Sequence, residues 1–131
     1  MSGEWRVASG EVRRYRDLVV WQKAVQWVDA VYSSTRDWPA EERFGLTSQV
    51  TRAAVSVPSN IAEGCARRTT ADFLRFLSIA RGSLAEAETQ LIIGARRRYL
   101  SEAQETSLLE AADEISRMLS GLIAKLEERR T

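Results

Sequence analysis

The sequence predicts an all-α fold, an antiparallel up-down-up-down four-helix bundle, from two observations. In four long stretches apolar residues recur every three to four positions, which is the period of an amphipathic helix. Connectors of only two to four residues join these stretches, and such short connectors favour antiparallel packing of successive helices. Strand signals are scarce, and the chain has no Asn-Gly or Asp-Gly pair that would form a tight hairpin.

The first helix is predicted from about Tyr15 to Arg36. It ends there because Pro39 pushes the residue before it out of the helical region. An apolar stripe spaced by three and four residues is the expected core face, and it consists of Leu18, Trp21, Val25, Val28 and Tyr32.

The second helix is predicted from about Pro39 to Ala66, with acidic residues in its first turn. Pro58 lies inside this run and has no N–H for the carbonyl of Ala54. We therefore expect helix two to be kinked or locally broken near Pro58. The expected core face consists of Leu46, Val50, Ala54, Val57 and Ile61.

The third and fourth helices carry N-terminal capping signals. Thr69 is an expected N-cap with Asp72 in the first turn, and Ser101 with Gln104 forms an expected capping box. The third helix is predicted to run to about Arg98. The core face of the third is Phe73, Leu77, Ala80, Leu84, Ala87 and Leu91, and that of the fourth is Leu108, Ala112, Ile115, Leu119, Leu122 and Leu126.

The length of 131 residues fits one domain. Residues 1–14 are predicted to form a flexible N-terminal arm, and residues 15–131 the bundle domain. The N-terminus has no apolar core typical of a signal peptide, and no apolar run approaches the ~20 residues that cross a bilayer. We therefore expect a cytoplasmic protein in which Cys65 is reduced.

The absence of certain residue types excludes several classes of enzyme. The chain has no histidine, which removes Ser-His-Asp and Cys-His catalysis, HExxH metalloproteases and Glu-x-x-His di-iron bundles. A single cysteine excludes zinc ribbons and an intramolecular disulfide. The sequence therefore predicts a non-enzymatic protein with no catalytic residues, no metal site and no cofactor.

Charge is unevenly distributed along a chain whose net charge is only +1. Seventeen of the nineteen basic residues are arginine. Residues 44–100 carry eight arginines against four acidic residues, a net +4, whereas residues 101–131 carry four basic and seven acidic residues, a net −3. The middle helices are therefore basic and the last helix is acidic.

The arginines of this basic region are candidates for nucleic-acid binding. Arg67, Arg68 and Arg75 are expected to lie close together at the turn between helices two and three, beside a helix N-terminus that favours anions. The alternative for these residues is salt bridging to the acidic fourth helix or a neighbouring subunit. For Arg96, Arg97 and Arg98, at the end of helix three, a favourable interaction with the helix dipole is the simpler interpretation. The other candidates are Arg52, Arg96, Arg97 and Arg98.

A compact block in helix two has two interpretations. In the chemical one Glu63 is a general base or a metal ligand, but no second catalytic group accompanies it. In the favoured structural one Ser59 or Asn60 caps backbone left open by Pro58, Glu63 pairs with Arg52 or Arg67, and Gly64 permits close helix approach. The residues of this block are Ser56, Pro58, Asn60, Ile61, Glu63 and Gly64.

Several large apolar residues fall off the expected core stripes of helices one and three. Self-association is the favoured explanation, because a second apolar face usually meets another partner. A wider core face and a ligand groove are the alternatives. The candidate interface residues are Trp27, Val31, Leu74 and Phe76, with Val20, Ile92 and Ile93 also off the stripes.

The nine residues Ser-Val-Pro-Ser-Asn-Ile-Ala-Glu-Gly, 56–64, resemble a specific motif of the bacterial four-helix-bundle family first known as ribosomal RNA intervening-sequence proteins. The resemblance extends over roughly residues 15–126. It also rests on the run 15–24, Trp38-Pro39, residues 42–46, Gln49, Arg52-Ala53-Ala54, Phe73, Phe76-Leu77, Ala80, Ser83-Leu84 and Glu86.

This resemblance implies a helical bundle and, through the accessory proteins of diversity-generating retroelements, a homopentamer that binds RNA or DNA and engages a reverse transcriptase. The strongly basic charge of those accessory proteins is not shared by this chain. The leading hypothesis is a non-enzymatic, homo-oligomeric, pentameric cytosolic scaffold that binds nucleic acid through its arginine-rich helix 2–3 region. The alternative is a protein–protein adaptor without a nucleic-acid role, which uses the acidic last helix or the arm.

Overall fold

The structure, a computed structural model, describes residues 14–130. Four helices fill most of this range: α1 (Val19–Thr35), α2 (Leu46–Cys65), α3 (Thr70–Arg96) and α4 (Glu102–Arg130). Short 3₁₀ turns, Tyr15–Asp17 and Ala40–Glu42, precede α1 and α2, and this part of the chain has no strand. The predicted all-α class is confirmed. The predicted N-terminal arm lies outside the described residues except for Arg14.

Helices α2 and α3 pack against each other along their whole lengths. Ser56 Oγ lies 2.9 Å from Ser83 Oγ, and Gln90 Nε2 donates to Gln49 Oε1 at 3.4 Å. Residue numbers therefore rise on one helix as they fall on the other, which is the relation of an antiparallel pair. The other packed pairs are α1 with α2, α1 with α4 and α3 with α4, so consecutive helices are neighbours around the bundle.

The core faces predicted for α2, α3 and α4 are confirmed. Each predicted residue on α3 and α4 is buried, and so is each on α2 except Leu46, which packs partly buried at the helix start. Capping is also as predicted. Asp72 N donates to Thr69 Oγ1 at 3.1 Å, and the Ser101–Gln104 box makes both of its hydrogen bonds.

The core register predicted for α1 is wrong. The buried residues are Val20, Ala24, Trp27, Val31 and Thr35, whereas the predicted stripe is half-buried along its length except for buried Leu18 and exposed Tyr32. Trp27 accounts for the face of α1 that is buried, because it is only 2% exposed and its indole N–H donates to the carbonyl of Leu108 on α4 at 3.1 Å. A buried indole needs such an acceptor.

The four candidate interface residues Trp27, Val31, Leu74 and Phe76 are all buried within one chain. Their assignment to a second, outward face is therefore wrong, and the wider core face accounts for them. Trp27 and Val31 are buried because the core face of α1 differs from the predicted one. On α3, Leu74 joins the core and Phe76 packs against the end of α2.

The boundaries of α2 and α3 differ from the prediction. The second helix begins at Leu46, because residues 40–42 form a separate 3₁₀ turn and Glu42 Oε1 accepts from Leu46 N at 3.0 Å as a side-chain cap. No break occurs at Pro58, since the α-helix continues through it; a bend there stays a prediction. The third helix ends at Arg96, and Arg98 has a φ of 67°.

Candidate nucleic-acid interface

Two arginines lie over one aromatic ring at the turn between α2 and α3. The guanidinium carbon of Arg67 lies 4.8 Å from the centroid of the Phe76 ring, and that of Arg75 lies 4.5 Å from it. Phe76 itself is buried, whereas the arginine side chains are 43% and 59% exposed. One buried ring therefore contacts two cations that remain partly exposed at the surface. Arg68 is exposed in the same turn, and Arg67, Arg68 and Arg75 are called the arginine cluster below.

Carboxylates offset part of this charge. Glu63 Oε2 accepts from Arg67 Nη2 at 2.8 Å, four residues away, and Asp72 Oδ1 lies 4.0 Å from Arg75 Nη2. The predicted pairing of Glu63 with Arg67 is confirmed. Both pairs are local and exposed, which makes them weak and easily exchanged for a phosphate. Three guanidiniums against two carboxylates, beside the capped N-terminus of α3, leave this turn attractive to an anion.

The other four candidate arginines are not part of this cluster. Arg52 is exposed midway along α2, where it lines a shallow groove with Glu86 of α3. Arg96, Arg97 and Arg98 lie at the other end of α3, about 30 Å from Arg75 at 1.5 Å per residue. The seven arginines therefore do not form one surface within a single chain.

Arg97 belongs to a structural network at that second end. Tyr99 Oη donates to Glu42 Oε2 at 3.0 Å, and Tyr99 raises the pKa of Arg97, with Glu42 and Glu41 contributing further. The backbone N–H of Leu46 and the Tyr99 hydroxyl hold the pKa of Glu42 below its usual range. This network ties the α1–α2 connector to the α3–α4 turn, which gives Arg97 a structural role.

The signature block places packing groups where α2 meets α3. Asn60 Nδ2 donates to both the carbonyl and the hydroxyl of Ser56 at 2.8 Å, and that hydroxyl contacts Ser83. A Cβ added to Gly64 would lie 2.7 Å from the Cβ of Phe76. Gly64 therefore permits the close helix approach that the sequence predicts, while the Asn60 amide acts on Ser56 rather than on Ala54.

A chemical role for this block has no supporting geometry. No group of three or more Cys, Asp or Glu residues that could hold a metal lies in the described range. Burial is the main cause that raises the pKa of the Cys65 thiol, and nearby Asp17 adds to it. Such a thiol is a weak nucleophile at neutral pH. Within residues 14–130 no helix is long and apolar enough to cross a membrane.

Sequence reasoning missed the arginines and aromatic rings beside the α1–α2 connector. The sequence predicts Tyr32 on the core face of the first helix and Phe44 inside the second helix. The structure leaves Tyr32 52% and Phe44 89% exposed, next to Arg36 and Arg43. Gly45 is the available signal, because glycine is favoured at the N-cap of a helix and Gly45 is the N-cap of α2.

Comparison with known proteins supports the fold. A crystal structure of a protein of unknown function from the S23 ribosomal protein family of Bacteroides thetaiotaomicron is 26% identical, with a TM-score of 0.75. The similarity covers 81% of this chain and 96% of that one. No curated protein matches the chain.

The comparison with protein families matches most of the described range. The sequence model of the 23S rRNA-intervening sequence protein family matches residues 16–121, which include all of α1, α2 and α3 and most of α4. The match spans the arginine cluster and the Gly64 contact as well as the helices. The chain therefore belongs to the 23S rRNA-intervening sequence protein family.

Proposed function

We propose that this protein is a non-enzymatic helical scaffold that binds structured nucleic acid through the arginine cluster. The observation that carries the proposal is the pair of guanidiniums held over Phe76. Stacking restricts both side chains before a ligand arrives, so less entropy is lost when each binds a phosphate. The RNA in the family's name is the same class of ligand, and the proposal includes a cytoplasmic location.

Self-association is the second part of the proposal. Trp21 and Val28 pack at the edge of the core and, with Val25, remain only half-buried, and Ile92 and Ile93 of α3 are 39% and 43% exposed. In a closed ring, the α1 surface of one copy and the α3 surface of another would each be covered by a different face of a neighbouring copy. The family resemblance suggests five subunits. A ring would present the arginine cluster several times, and multivalency would offset the low net charge.

The binding test uses a fluorescent RNA hairpin and full-length protein at several salt concentrations. Wild-type affinity is expected to fall steeply with salt, because phosphate contacts release counterions. The double variant R67Q/R75Q should bind at least several-fold more weakly, with a salt slope smaller by roughly 1.8 if both arginines contact phosphate. R96Q/R98Q, a double variant at the other end of α3, is the matched control and should bind like wild type.

Two outcomes would contradict the binding proposal. One is the absence of wild-type binding at low salt, and the other is equal loss in the cluster and control variants. Light scattering coupled to gel filtration tests self-association in the same samples, and a 14.8 kDa monomer would contradict it. If the hairpin does not bind while a protein partner survives nuclease treatment in a pull-down, the adaptor function replaces this one.

A further inference from the structure

A groove of about 930 Å³ lies between the C-terminal half of α1 and the start of α2. Its walls carry two arginines, Arg36 and Arg43, and two aromatic rings, Tyr32 and Phe44. Serine and threonine hydroxyls from both helices line the rest, together with one carboxylate, that of Asp29. We call it the α1–α2 groove; it lies at the end of the bundle opposite the arginine cluster.

Phe44 is the most exposed large apolar residue described, at 89%. The guanidinium carbon of Arg43 lies 5.8 Å from the centroid of its ring. Tyr32, on the other wall, is 52% exposed. Two uncovered rings beside one groove offer a surface on which a planar or apolar group can pack.

The polar lining matches a phosphate-bearing chain. Arg36 and Arg43 supply two guanidiniums against the single carboxylate of Asp29. The first turn of α2 also reaches this groove through Thr47 and Ser48, beyond the Leu46 N–H that Glu42 caps. Thr47 Oγ1 is buried and has no hydrogen-bond partner among the described residues, so this wall has an unused polar atom.

These features favour a nucleic acid over a second copy of the chain. Aromatic residues and arginine are enriched in protein–protein interfaces as well, but the buried core of such an interface is depleted of serine. The α1–α2 groove instead alternates rings with cations and hydroxyls. Aromatic rings that stack on bases, flanked by arginines that neutralise phosphates, are the usual means of binding single-stranded nucleic acid. Paired bases are already stacked and cannot insert between such rings.

We propose that the α1–α2 groove binds unpaired nucleotides, with bases stacked on Phe44 and Tyr32 and phosphates held by Arg36 and Arg43. This extends the proposed function, on which it rests for the class of ligand, but it concerns a separate site. The arginine cluster would hold the paired part of a folded RNA, and the α1–α2 groove an adjoining single-stranded part.

The test compares fluorescent single-stranded RNA and DNA 12-mers with a blunt RNA duplex of similar charge. F44A is expected to bind the single strands about fivefold more weakly or worse, because loss of one stacked base has at least that effect. F44W should retain binding, whereas F44L should not, because leucine preserves apolar area without a flat ring. I79A, an exposed apolar residue on α3, is the matched control.

The phosphate contacts are tested separately. R36Q/R43Q should lower the salt slope for single strands by about 1.4, while R81Q, an exposed arginine on α3, should leave it unchanged. Ultraviolet cross-linking of a bromouridine-substituted 12-mer should label the peptide that contains Phe44. Equal effects on RNA and DNA would indicate that the groove recognises bases and phosphates alone; a loss restricted to RNA would add 2′-hydroxyl contacts.

The outcomes separate this inference from the proposed function. If R67Q/R75Q loses hairpin binding while F44A binds single strands like wild type, the groove proposal fails and the proposed function stands. If F44A loses single-strand binding while R67Q/R75Q binds the hairpin normally, the proposed role of the arginine cluster fails and the groove proposal stands. Absence of wild-type binding to single strands would overturn the groove proposal. The proposal would also fail if F44L bound as well as F44W and F44A formed a smaller assembly, and that result would indicate a contact between copies of the chain.

Discussion

The two ends of the bundle combine arginines and aromatic rings in opposite ways. At the α2–α3 end the ring of Phe76 is buried, and two arginines remain at the surface above it. At the other end Phe44 is exposed, while Arg97 lies near Tyr99 and the carboxylates of the α1–α2 connector. Arginine content alone therefore does not identify a binding surface, because arginines stack on a buried ring at one end and belong to a hydrogen-bonded network at the other.

Each end also depends on a glycine against an aromatic side chain, but the two contacts differ in how far they can relax. A Cβ on Gly64 would meet the Cβ of Phe76 at 2.7 Å, close to the α3 backbone. A Cβ on Gly94 would meet Trp38 Cη2 at 2.6 Å, at the far tip of a side chain. An added methyl group is therefore harder to accommodate at the α2–α3 end.

The largest expected effect is that of G64A. The added methyl group forces α2 from α3, which should lower the free energy of unfolding by about 3 kcal/mol. G94A should cost less, about 1–2 kcal/mol, because the Trp38 ring can shift. G82A, with open space around its Cβ, should stabilise α3 by about 0.5–1 kcal/mol. Urea denaturation compares the three, and equal losses in G64A and G94A would break the distinction between the ends.

The core face of a helix could be predicted from the sequence where the helix has only one apolar repeat. In α3 and α4 one repeat of large residues leaves one choice of core face, and Thr69 and Ser101 mark their starts through local hydrogen bonds. The meeting of Arg67 and Arg75 across a short turn could be predicted as well. The burial of Phe76 beneath them could not, because it depends on the absence of a side chain at Gly64.

The register of α1 could not be predicted because it carries two apolar stripes one residue apart. Trp21, Val25 and Val28 belong to one, and Ala24 and Trp27 to the other. The choice depends on tertiary contacts: Ala24 is small enough to be fully buried, and the indole of Trp27 finds the carbonyl of Leu108. The α1–α2 groove was missed for a related reason, since Glu42 caps Leu46 through its side chain and leaves residues 43–45 outside the helix.

An intermediate effect is expected for N60A, in the signature block near the α2–α3 end. Its amide donates to Ser56 twice and so orients the hydroxyl that contacts Ser83. Loss of these bonds should lower the free energy of unfolding by about 1 kcal/mol. S59A, an exposed neighbour in the same helix, should be nearly neutral. A normal melting temperature combined with a loss of RNA binding would contradict the structural role of Asn60.

The smallest expected effect is the pH dependence of stability contributed by Glu42, at the end of the bundle opposite the arginine cluster. Its hydrogen bonds from Leu46 N–H and Tyr99 Oη lower its folded-state pKa below that of the unfolded chain. The resulting stability is present above the unfolded-state pKa and is lost as pH falls through the folded-state pKa. E42Q should therefore be less stable than wild type at neutral pH, and the difference should shrink as the solution becomes acidic.

The matched control for this prediction lies at the α2–α3 end. Glu63 also pairs with an arginine, but the contact is an exposed pair between residues four apart, worth about 0.3–0.5 kcal/mol. Denaturation midpoints of E42Q, E63Q and wild type, measured from pH 7 to about pH 3, compare the two carboxylates. A gap between E42Q and wild type that stays constant into acid would mean that the Glu42 charge does not hold the connector. The opposite end would then depend on its aromatic packing alone, with Trp38 against Gly94 and Tyr99.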